Sequence, residues 1–144
     1  MVRWAFYDPL AMTADLSTLL HNPRLRLFLI ACAAVMYLAI VIAGNIPGAR
    51  ADIGHYASGV ALHSTAYAVL TALCFLGSRG TPATRAVKAV LAVAAMGAGD
   101  EFIQSFFPYR GADMGDWAVD CSAAVVTSGL LCLLFAKTAL TPKP

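Results

Sequence analysis

From Leu27 to Ile46 the chain runs about 20 residues without a charge. That is the length a helix needs to cross roughly 30 Å of hydrocarbon. Three more apolar stretches follow, at about 56–77, 83–107 and 115–136, the third interrupted by Asp100 and Glu101. A chain with four such runs has little choice of solvent. Backbone polar groups in lipid must be satisfied within their own segment, so helices are expected. The sequence predicts an all-α integral membrane bundle of four transmembrane helices.

Composition agrees. The 144 residues are 60% hydrophobic and 12% charged, against about 25% charged in ordinary soluble domains. A net charge of +2 and the lack of basic runs interleaved with aromatics argue against a nucleic-acid partner. Cys32, Cys74, Cys121 and Cys132 lie in apolar runs without C-x-x-C spacing and read as small packing residues. The first run is longer than a typical signal-peptide core of about 7–15 residues and follows 26 residues of lead, so it reads as a retained span.

The breaks have a mechanism. Asn45-Ile46-Pro47-Gly48, the segment from Gly77 to Pro82, and Phe107-Pro108-Tyr109-Arg110-Gly111 all combine turn formers with proline. Thr81 can cap a helix with Pro82 in its first turn. Residues 1–26 form a cytoplasmic lead, and 27–140 form the membrane domain. Within the lead, Asp8-Pro9 can start a short interfacial helix anchored by Trp4, Phe6 and Tyr7, a loosely ordered tail being the alternative.

Orientation follows from Lys and Arg. Arg3, Arg24, Arg26, Arg79, Arg85, Lys88, Lys137 and Lys143 fall on one side of the expected spans, Arg50 and Arg110 on the other. The basic side faces the cytoplasm. Both ends are therefore expected inside, in a multi-pass protein of the plasma or inner membrane.

The informative residues are those that lipid should not tolerate. His63 lies in the second stretch, Asp100 and Glu101 in the third, Asp116 and Asp120 in the fourth. An acid at the centre of a lone helix costs roughly 2.5–3.5 kcal/mol on insertion scales. Helical rise puts Asp100 roughly 18 Å above Lys88, His63 roughly 24 Å above Arg79, and Asp120 roughly 8 Å below the outer face. All three fall in the outer leaflet. His63 and Tyr67, Asp100 and Gln104, and Asp116 and Asp120 are spaced i,i+4, so each helix carries its polar residues on one stripe. Arg110, in the loop joining the acidic helices, is the expected counter-charge.

These residues carry a resemblance. Asp100-Glu101-Phe102-Ile103-Gln104, then Pro108-Tyr109-Arg110, then Asp116 and Asp120, resemble the pattern of the VanZ-like family. His63 and Tyr67 are similar to that family's H-x-x-x-Y. The match covers about residues 55–130. It departs from the family where members often carry an acid–base pair before the histidine; here Gly59-Val60 stand there. The family is named for an accessory protein of glycopeptide resistance associated with teicoplanin tolerance. The resemblance implies a membrane protein of the cell envelope with this fold.

Two classes of reading then stand side by side. The polar residues His63, Tyr67, Asp100, Glu101, Gln104, Arg110, Asp116 and Asp120 form a network that fixes helix register, in a structural or partner-binding subunit. Or they form a site. As a site, the cluster binds an outer-leaflet amphiphile or lipid head group, acts as an enzyme on a lipid phosphate, or relays protons. Binding is the favoured reading. No helix carries two His at metal spacing, no Gly-rich phosphate loop or G-x-S-x-G elbow is present, and Ser105 has no base beside it. Four helices without an inverted repeat also lack the usual transporter machinery, unless a second copy supplies it. Neither a metal nor a cofactor is expected. The partners expected are the bilayer, a lipid head group or amphiphile, and a second copy of the chain.

Overall fold

A computed structural model describes residues 22–48 and 58–140, apart from the side chains of 138–140. The expected interfacial helix with Trp4, Phe6 and Tyr7 lies outside the described residues, as do Arg3, Arg50, Tyr56 and Lys143. The described chain is all-helical: α1 (Pro23–Gly44), α2 (Gly59–Gly77), α3 (Pro82–Gln104) and α4 (Met114–Leu140).

The helix ends follow from local chemistry. Asn22 caps α1 by accepting from the Arg24 N–H, with Pro23 in the first turn, so α1 begins four residues before the apolar run does. Ser58 caps α2 and Thr81 caps α3 with Pro82 behind it. Asn45 closes α1, its side-chain amide donating to the Val41 carbonyl. Gly80, at φ +122°, makes the tight turn between α2 and α3. The third helix stops at Gln104, not at the expected position 107, because Phe107, Pro108, Tyr109 and Arg110 form a turn.

Packing is inside-out relative to a soluble protein. The buried apolar residues are few and mostly line α2 and its neighbours: Ala33, Tyr67, Leu70, Cys74, Phe75, Ala89, Val93 and Ala124. Alongside them are buried Thr71, Asp100, Glu101, Gln104, Asp116, Asp120 and Ser128. Meanwhile the outer surface carries Leu27 (72% exposed), Val35, Leu38, Val87, Leu91, Val125, Leu130 and Leu133. Such a surface is stable only in contact with hydrocarbon. Helices α1, α2 and α4 are long and apolar enough to cross a membrane. Several helix hydroxyls bond back to their own helix: Thr71 donates to the Tyr67 carbonyl, Ser122 to Ala118 and Ser64 to Val60.

Helix α3 packs along both α2 and α4, α4 also packs along α2, and α1 leans on α2. The α1–α2 crossing is close at its basic end. A Cβ on Gly77 would lie 2.7 Å from Ile30 Cδ1, and the Arg26 guanidinium donates to the Gly77 carbonyl. All four cysteines are free.

Candidate functional site

At the end opposite Arg26 and Arg79, the first turns of α2 and α4 meet the last turns of α1 and α3. The i,i+4 stripes turn inward there, and packing sorts them into three groups.

The first group lies between α2 and α4. His63 Nδ1 is 2.9 Å from Asp120 Oδ1, and its Nε2 is 3.6 Å from Asp116 Oδ2. Asp120 is fully buried and Asp116 nearly so. One imidazole is thus held between two carboxylates one helical turn apart, which the Asp116–Asp120 spacing makes possible. Asp116 also sits in the first turn of α4, where the helix dipole favours an acid.

The second group faces a cavity of about 210 Å³ between α1, α2, α3 and the loop after α3. Ile40, Ala43, Leu62 and Ala66 line it with apolar groups, and His63, Tyr67, Asp100, Gln104 and Arg110 with polar ones. Tyr67 donates to Asp100 Oδ2 at 3.4 Å, and its ring lies parallel to that of His63, centroids 5.9 Å apart. Arg110 donates through Nη2 to Gln104 Oε1 at 3.0 Å. Asp100 and Gln104 are each 1% exposed, yet Asp100 Oδ1, Gln104 Nε2 and Arg110 Nε have no hydrogen-bond partner among the described residues. A buried polar atom without a partner costs about 1–3 kcal/mol. Three residues that line one cavity thus carry two donors and an acceptor without partners.

The third group is Glu101 alone. It is adjacent to Asp100 and so turned about 100° around α3. Its Oε2 accepts from the Asp113 backbone N–H, while Asp113 Oδ1 accepts from the Gly115 N–H at 2.8 Å. Glu101 therefore ties α3 to the start of α4 and does not line the cavity.

Arg110, the expected counter-charge to the acids, donates to Gln104, the turn at 108–110 bringing it over the last residue of α3. The Trp117 indole N–H donates to the Ala94 carbonyl at 3.0 Å, bridging α4 to α3. Gly97 allows that approach: a Cβ there would lie 3.0 Å from Asp120 Oδ2 and 3.1 Å from Trp117 Cδ1. Gly97 and Gly44 are residues that sequence reasoning passed over. The small residues Ala43-Gly44 and Ala94, Ala95, Gly97, Ala98 and Gly99 were the available signal for close helix approach.

Among the described residues, no group of three or more His, Cys, Asp or Glu side chains is placed to hold a metal ion. Comparison with protein-family models, with curated proteins and with solved structures finds no match.

Proposed function

We propose that this chain is a multi-pass protein of the plasma or inner membrane with four spans and both termini in the cytoplasm. It binds an outer-leaflet amphiphile or lipid head group between α1, α2 and α3. In doing so it contributes to tolerance of teicoplanin-type glycopeptides. One observation supports binding above the rest: the cavity is lined by apolar side chains together with residues that carry buried donors and an acceptor without partners. Such a cavity matches a molecule with a polar head and an apolar continuation. Tolerance follows from the resemblance of the D-E-x-x-Q, P-x-R and aspartate pattern to the VanZ-like family.

The fourth span rests on α3. Its 23 residues reach about 34 Å at 1.5 Å per residue. Its charges do not oppose insertion. Arg85 and Lys88 lie in its first two turns and donate to the carbonyls of Gly80 and Arg79. Asp100 and Glu101 are buried within the bundle. Val87, Leu91 and Phe102 face outward. Its packing along α2 and α4, and its short connection to α2, support a fourth crossing beside them.

The enzyme reading has less support. Among the described residues the imidazole with acid partners is His63, and its Nε2 and Nδ1 are directed at Asp116 and Asp120, which leaves neither ring nitrogen free for an incoming group. The test is phenotypic. Expression in a sensitive cell should raise tolerance to a lipid-tailed glycopeptide more than to one without a tail. Gly44→Leu, which grows into the cavity beside Gln104 and Arg110, should abolish the gain while protein remains in the membrane. Full tolerance with the cavity filled would overturn the proposal.

A further inference from the structure

The unpartnered atoms around the cavity differ in sign, and their arrangement narrows the ligand. Gln104 Oε1 is taken up by Arg110 Nη2, which leaves Gln104 Nε2 and Arg110 Nε as donors without partners on two residues already in contact. Both residues also approach Gly44, where a Cβ would lie 3.8 Å from Arg110 Nη2 and from Gln104 Nε2. Two donors, one on a permanent cation, suit an anionic oxygen of a phosphate. One turn down the same face of α3, roughly 5–6 Å away between Cβ atoms, Asp100 offers Oδ1 as an acceptor, with its other oxygen already accepting from Tyr67.

Charge decides what sits at Asp100. Four buried carboxylates lie at this end, Asp100, Glu101, Asp116 and Asp120. Among the described residues, the groups that can carry positive charge there are Arg110 and His63, and His63 is engaged by Asp116 and Asp120. A buried carboxylate with no cation is costly, so a neutral hydroxyl is the poorer complement to Asp100 and an N–H cation the better one. A quaternary ammonium has no N–H to donate and carries three methyl groups.

We infer that the cavity takes a phosphoethanolamine-type head group, with phosphate oxygen at Arg110 and Gln104 and primary ammonium at Asp100. The short carbon bridge between phosphate and ammonium matches the one-turn offset between Gln104 and Asp100. This rests on the reading that the cavity binds an amphiphile. It adds which head-group chemistry is preferred.

Native mass spectrometry of the full chain tests both layers. The protein is released from nanodiscs made of equal parts phosphatidylethanolamine and phosphatidylglycerol, or phosphatidylcholine and phosphatidylglycerol, and retained lipid is counted. The parent should retain the ethanolamine lipid over the other two by about tenfold or more, the worth of one charge-assisted hydrogen bond. Asp100→Asn should erase that preference yet still retain some phospholipid through Arg110, while Gly44→Leu should retain none. A second arm offers soluble phosphoethanolamine to lipid-stripped protein. An adduct there assigns the ligand to the free head group, and an adduct with the lipid alone assigns it to the membrane. Retention of choline lipid equal to ethanolamine lipid by the parent would overturn the head-group assignment and leave amphiphile binding standing. Retention of no lipid in either mixture, with no soluble adduct, would overturn both. Because the parent's own preference decides the matter, a variant that fails to fold does not blunt the test.

Discussion

His63 and Asp120 make the most consequential contact between α2 and α4. The carboxylate is fully buried, one oxygen is held by His63 Nδ1 at 2.9 Å, and the other has no partner among the described residues. Removing one member of a buried charged pair strands the other, at about 3–5 kcal/mol. His63→Ala should therefore destabilise the fold strongly, measured as a fall in thermal midpoint in detergent or bicelles. The double variant His63→Ala with Asp120→Ala should lose less than the sum of the two single losses, because its second change removes a stranded charge. Additive losses would mean that the two residues do not act as a pair. Gly97 makes a second case. Its missing Cβ keeps space for Asp120 Oδ2 and Trp117. Gly97→Val should cost about 1–3 kcal/mol by overpacking, despite the usual gain from replacing glycine in a helix.

Between elements, close approach at small residues takes the place of a large apolar core. At the basic end α1 meets α2 over Gly77, where a Cβ would strike Ile30 and lie 3.3 Å from the Arg26 carbonyl. Helix association in lipid depends on such packing, since hydrocarbon outside is as apolar as the side chains inside. Gly77→Leu should loosen α1 from α2 and lower the thermal midpoint. Gly129→Leu, at a position with nothing within 4 Å of a Cβ, should leave it near the parent value. Equal effects from the two substitutions would contradict packing as the source. At the other end Tyr109 donates to the Asn45 carbonyl at 2.9 Å, so the loop after α3 closes over the end of α1 and brings Arg110 to the cavity.

For the molecule as a whole, charge and polarity are separated end to end. Arg24, Arg26, Arg79, Arg85, Lys88 and Lys137 belong to one end; the buried acids and Arg110 belong to the other. In the proposed orientation a reporter active only outside the cytoplasm, fused after Pro144, gives no signal. The same reporter inserted between Gly111 and Asp113 gives a strong one. A strong signal from the C-terminal fusion would reverse the orientation or change the number of spans.

Sequence alone was enough for the number and the periodicity of the described helices, though not for every end: α1 begins at Pro23 and α3 stops at Gln104. The apolar runs implied helices in lipid, Asn45, Thr81 and Pro108 marked where they break, and i,i+4 spacing put His63 with Tyr67 and Asp100 with Gln104 on shared faces. These follow because rise and periodicity are properties of a single segment. Only tertiary structure decided how the faces are rotated and set against one another. Asp100 and Glu101 are neighbours in the chain, yet one lines the cavity and the other holds the start of α4. Asp116 and Asp120 meet at His63 behind the cavity lining, and Arg110 donates to Gln104. Each of these turns on helix rotation and relative depth, which are set by close contacts such as Gly97 against Asp120 and Gly77 against Ile30. No spacing within a single helix encodes them.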